Sequence, residues 1–89
     1  MKKQSLRWSD DKNEWLIAER GISFEELAQA IQSGALLDDI KHPTKEHQRV
    51  LLVWCQNYVW AVPYVKQEEG VFFKTAFKSR KYNQRYGHE

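Results

Sequence analysis

The hydrophobic period of this chain switches from that of a helix to that of a strand after Gly34, and that switch sets the fold class. Before it, Phe24, Leu27, Ala28 and Ile31 fall at i, i+3, i+4 and i+7, one face of a helix. Ser23 and Glu26 form an S-x-x-E capping box, with Ile22 and Leu27 at the hydrophobic-staple positions. Gly34 ends that helix. An earlier one is expected from about Lys12 to Arg20, capped by Asp11 with Glu14 three residues on, and stopped by Gly21. After Gly34 come four strand-like runs: 35–40, 49–54, 58–65 and 71–77. A polar loop at 41–48, a tight turn at Gln56 and Asn57, and a turn at 66–70 separate them. Turns this short join antiparallel neighbours. The expected fold is α+β, with two N-terminal helices packed on one side of an antiparallel sheet of three to four strands. Pro63 lacks an N–H, so its position should lie at an edge, beyond a neighbour's end or at a bulge. Residues 78–89 suit a short basic C-terminal helix. At 89 residues the whole is one domain.

Composition excludes several classes. With 42% hydrophobic and 29% charged residues, the chain is globular rather than disordered. Its longest apolar run, Val50 to Cys55, falls far short of a membrane span of about 20 residues. Met1, Lys2 and Lys3 are not followed by a signal-peptide core. The single cysteine, Cys55, precludes an intrachain disulfide and a cysteine-based zinc site, so a reducing, cytoplasmic setting is expected. P-loop, dinucleotide-binding, nucleophile-elbow and zinc-protease motifs are absent. His42 and His47 lie five apart in a loop near Asp38, Asp39 and Glu46; they read as solvated loop groups rather than a metal site, and no cofactor is expected. Cys55 has no Cys-His signature and reads as a packing residue.

Charge is unevenly placed. Residues 74–89 carry Lys74, Lys78, Arg80, Lys81 and Arg85 against Glu89, a net of +4 on a body of −2. Phe73, Phe77, Tyr82 and Tyr86 interleave with these cations. Two readings stand side by side: the rings stack on unpaired bases while the cations meet phosphates, or the tail is solvated and its rings pack back on the sheet. Metal-free RNA cleavage needs a base for the 2′-OH, an acid for the leaving oxygen and cations for the phosphorane charge. His47 and Arg49 lie just before one strand, Tyr64 near the end of the next and Lys74 in the third. Strict alternation puts Phe72, Lys74 and Ala76 on one face, and Val71, Phe73, Thr75 and Phe77 on the other.

The stretch Trp8-Ser9-Asp10-Asp11-Lys12-Asn13, followed by Gly21-Ile22-Ser23-Phe24-Glu25-Glu26, resembles the N-terminal half of BrnT toxins. Those open with W-D-x-x-K-x and continue with H-G-[IV]-S-F-E-E. Here Arg20 stands for the family His, and the Asp is displaced by Ser9. Lys74-Thr75, then Ser79-Arg80-Lys81 and Tyr82, is similar to a related branch of small toxins, and Arg49 matches the Arg that opens the first long strand. The family's closing S-A-R is Thr75-Ala76-Phe77 here, with Arg80 three residues on and no Glu before Glu89.

The resemblance implies a RelE-like fold and a toxin of a type II toxin–antitoxin pair, a ribonuclease that blocks translation. On that basis His47, Arg49, Tyr64, Lys74 and Arg80 are the candidate catalytic residues. Lys78, Lys81, Tyr82, Arg85 and Tyr86 are the candidate RNA contacts. The implied partner is a small antitoxin encoded next door, usually a ribbon-helix-helix protein, through which operator DNA is bound. It is expected to cover Lys74 to Arg85. The missing S-A-R arginine favours an alternative, a noncatalytic RNA- or protein-binding module on the same fold. A third reading is a toxin that poisons a protein target, with exposed aromatics as anchors.

Overall fold

The computed structural model describes residues 5–87; Met1, Lys2, Lys3 and Glu89 lie outside them. The chain runs β1 (Ser5–Trp8), α1 (Asp10–Arg20), α2 (Phe24–Ala30), β2 (Leu36–Lys41), β3 (Arg49–Cys55), β4 (Tyr58–Gln67), β5 (Gly70–Phe73), β6 (Phe77–Lys78) and α3 (Arg80–Tyr86). The α+β class holds. The sheet, however, is mixed: its order is β1-β5-β4-β3-β2, with β6 also on β4. Four of the pairings are antiparallel, but β1 lies parallel to β5. Thus a strand precedes the helices, and the expected three to four strands are too few. Four residues are too short to display a period, and the partner of β1 lies more than 60 residues on.

Local signals explain the helices. The α1 cap is Ser9 rather than Asp11: its side chain accepts from the Lys12 N–H at 3.3 Å. The third helical position is then Lys12, so the expected Glu14 box does not form. Gly21 ends α1 at φ 67°, a left-handed conformation, and its N–H reaches the Ile17 carbonyl. The Ser23–Glu26 box is present in both directions. A π-helical turn over Ile31–Ala35, containing Gly34 at φ 100°, leads from α2 into β2. Asn13 joins the two helices. Its Oδ1 accepts from the Phe24 N–H at 2.7 Å, and its Nδ2 donates to Glu25 at 2.8 Å.

Gln56 and Asn57 both take positive φ, 54° and 63°, as a two-residue hairpin turn requires. Pro63 is accommodated because β5 ends at Phe73 and β6 starts at Phe77. Its carbonyl, on that side of β4, accepts from Lys74 N–H, and its missing N–H falls in the break. The register moves by one residue across this break. That extra residue corrects strict alternation: Ala76 is buried with Val71 and Phe73, while Phe77 is paired with Ala61.

Both sheet faces are covered. Leu16, Ile22, Phe24 and Leu27 pack on Leu51, Val53, Trp60, Val62, Tyr64, Val71 and Phe73. There Trp8 stacks on both Phe24 and Phe73, which are tilted against each other, with ring centroids 5.6–5.9 Å apart. On the opposite face, Tyr82 and Tyr86 of α3 pack on Val50, Leu52, Val59 and Ala61. No helix among the described residues is long and apolar enough to cross a membrane.

Candidate functional site

Arg49, Leu51 and Val53 alternate on the face of β3 that meets α1 and α2, and Tyr64 lies directly opposite Arg49 on β4. Asp39, on β2, reaches both across the strands. Arg49 Nε donates to Asp39 Oδ1 at 2.9 Å, and Arg49 Nη2 donates to the Asp39 carbonyl at 2.9 Å. The Tyr64 hydroxyl donates to the same carboxylate, 2.9 and 2.8 Å from its two oxygens. Three neighbouring strands thereby lock a guanidinium and a phenol on one carboxylate, leaving Arg49 Nη1 without a hydrogen-bond partner among the described residues.

Beside this cluster lies a pocket of about 240 Å³, lined by Lys41, Glu46, His47, Gln48, Arg49, Tyr64 and Lys66. Its lining carries three cations and an imidazole against the one carboxylate of Glu46. Such a site suits an anion with a proton to transfer. The structure therefore brings together three of the candidate catalytic residues, His47 on an exposed loop with Arg49 and Tyr64.

Electrostatics assigns Tyr64 its form. Burial comes first, and the Asp39 hydrogen bond and charge second; together they push the phenol up to about 12, against a smaller opposing effect of Arg49. Tyr64 is therefore a neutral hydrogen-bond donor. The Arg49 guanidinium is held charged, chiefly by its hydrogen bond to Asp39.

The remaining candidates lie elsewhere. Lys74 follows β5, its ammonium 5.7 Å from the ring of Phe72, whose partner Val65 is on the face opposite Tyr64. Arg80 is exposed at the start of α3. Lys78 lies over the rings of Tyr58 and Trp60 at 5.2 and 5.8 Å. Lys81 and Arg85 both lie over Tyr82, at 5.2 and 5.9 Å. Tyr82 and Tyr86 pack back onto the sheet, and the Tyr86 hydroxyl donates to Asp38 at 2.7 Å. That bond lowers the Asp38 carboxyl and raises the Tyr86 phenol.

Asp39 is the member that sequence reasoning missed in this role. The signal was a carboxylate on the strand beside one that starts with Arg, but the pairing register decides whether they meet. Among the described residues no three His, Cys, Asp or Glu side chains converge to hold a metal. Burial, then the Glu26 charge, raises the Cys55 thiol, which disfavours the thiolate a nucleophile needs. Comparison with known proteins found no matching family model, no matching curated protein and no matching solved structure.

Proposed function

We propose that this chain is the toxin of a type II toxin–antitoxin pair and acts as a metal-independent ribonuclease. The observation that carries the reading is one cationic pocket whose lining includes His47, Arg49 and Tyr64. An imidazole is the side chain suited to accept a 2′-OH proton near neutral pH. The freed 2′ oxygen bonds to phosphorus, and the bond from phosphorus to the 5′ oxygen breaks. An ammonium on the rim, Lys41 or Lys66, protonates the departing oxygen. The products are a 2′,3′-cyclic phosphate and a 5′-hydroxyl. Arg49 offers Nη1 to the phosphorane charge. Tyr64 donates hydrogen bonds and orients the guanidinium through Asp39; giving up its proton would set a phenolate beside a carboxylate. Lys74 and Arg80 sit apart from this pocket, and serve the RNA strand beyond the cleaved bond with Lys78, Lys81 and Arg85.

The partner in this reading is a small antitoxin, encoded next door, that covers Lys74 to Arg85 and carries the operator-binding function. The noncatalytic module remains the second reading, favoured by one observation: Asp39 already neutralises Arg49 at 2.9 Å. Cleavage of a single-stranded RNA in EDTA separates the two. The wild type is expected to cut, and Arg49→Met to lose at least about a hundredfold in rate while staying folded, the size usual for a missing transition-state donor. Intact RNA with folded wild type would end the ribonuclease reading.

A further inference from the structure

We propose that the His42 imidazole is a pH-sensitive lock on the loop between β2 and β3. The loop spans residues 42–48 and continues the ladder that ends at Lys41 and Arg49. Its base is closed by the His42 N–H on the Gln48 carbonyl at 3.4 Å, and its tip by the Gln48 N–H on the Lys45 carbonyl at 3.1 Å. Between them, His42 Nδ1 accepts from two backbone donors, Thr44 N–H and Lys45 N–H, each at 3.1 Å. An imidazole nitrogen accepts only while it carries no proton. The closed loop therefore requires the tautomer with its proton on Nε2. Protonating Nδ1 would turn the acceptor into a third donor facing two others, and the loop would open.

The surrounding charges belong to the same hollow. Lys41 of β2, and Lys45 and Glu46 of the loop, are the charged groups that line it with His42. Glu46 and Gln48 line both this hollow and the pocket beside Arg49, and His47 lies between them. Opening the loop on acidification thus removes His47 from Arg49 and Tyr64. That consequence rests on the ribonuclease reading; the lock itself does not.

The test is amide NMR of the ¹⁵N-labelled full chain from pH 8 to 5. The Thr44 and Lys45 amides should shift with one midpoint, shared with the His42 ring. Their exchange, corrected for its intrinsic pH dependence, should rise about tenfold, the loss of about one ordinary hydrogen bond. His42→Asn places Oδ1 where Nδ1 sits and cannot be protonated, so the shifts should vanish. His47→Gln removes the loop's other imidazole, and the titration should persist. Thr44 and Lys45 amides that ignore the His42 ring, or that titrate unchanged in His42→Asn or only while His47 is present, would overturn the lock. The readout is independent of RNA, so a chain that cleaves nothing still tests it.

Discussion

Tyr64 is 2% exposed, and its only side-chain polar atom ends on a carboxylate. Its phenol is raised to about 12 from an ordinary value of 10.0. A raised phenol contributes stability that is complete below pH 10 and is lost as pH climbs to 12, because only the unfolded chain ionises first. Two units correspond to at most about 3 kcal/mol, less what water in the adjoining pocket screens. Chemical denaturation at pH 9 and 11.5 should show the wild type losing more stability than Tyr64→Phe, by an amount up to that size. Equal losses would mean the phenol is not held as described. His47, Arg49 and Tyr64 were legible as residue types before strands or at their ends. Asp39 was legible only as a carboxylate, because its partners are fixed by registers that join residues 10 and 25 positions away. Asn13 was hidden in the same way: it sits in the N-terminal motif, but its bonds to Phe24 and Glu25 depend on how α1 meets α2.

At the scale of elements, capping chemistry and turn residues carried most of the legible information. The Ser23–Glu26 box, the stop at Gly21 and the turn at Gln56 and Asn57 are local, and each forms as expected. What local reasoning could not see was the one-residue slip between β5 and β6, since a bulge leaves no period of its own. The seven-residue α3 shows the dependence on context most clearly. It has no fully buried residue, and Ser79 caps it by accepting from the Tyr82 N–H. Its attachment is specific: Asn83 Oδ1 accepts from the Val59 N–H at 3.0 Å, beside the Ser79 N–H that donates to the Val59 carbonyl at 3.0 Å. Asn83→Ala leaves a buried donor unpaired, a cost of about 1–3 kcal/mol. Hydrogen exchange should then show the Val59 amide and the α3 amides opening together, with the Leu16 and Leu27 amides still protected. Unchanged protection at Val59 would show that α3 is held by its tyrosines alone.

For the molecule as a whole, both faces of the sheet are covered, one by α1 and α2 and the other by α3. The basic arm was visible in the charge distribution, and so was the choice between stacking on bases and packing back. Charge and aromatic spacing are the same for a free arm and for a cover, so sequence could not choose. The second core could: Val50, Leu52, Val59 and Ala61 are 0–5% exposed, and α3 is what covers them. A free apolar face of that kind would be an aggregation surface. Its cations, meanwhile, remain at the surface, since Arg80, Lys81 and Arg85 are exposed. Covering the sheet, which α3 does, and the proposed contact with an RNA strand thus become separable. Ending the chain at Lys78 removes the cover, and sedimentation should show self-association even though the core under α1 and α2 is intact. Reversing Arg80 and Lys81 to Glu removes two cations and leaves the apolar packing in place, so the chain should stay monomeric. If the arm tracks an RNA strand, the slope of log affinity against log salt should then fall by about 1.4, roughly 0.7 for each phosphate of a single strand that is no longer neutralised. A monomeric truncation would show that α3 is dispensable to the fold; an unchanged slope would show that the arm covers the sheet and meets no phosphate.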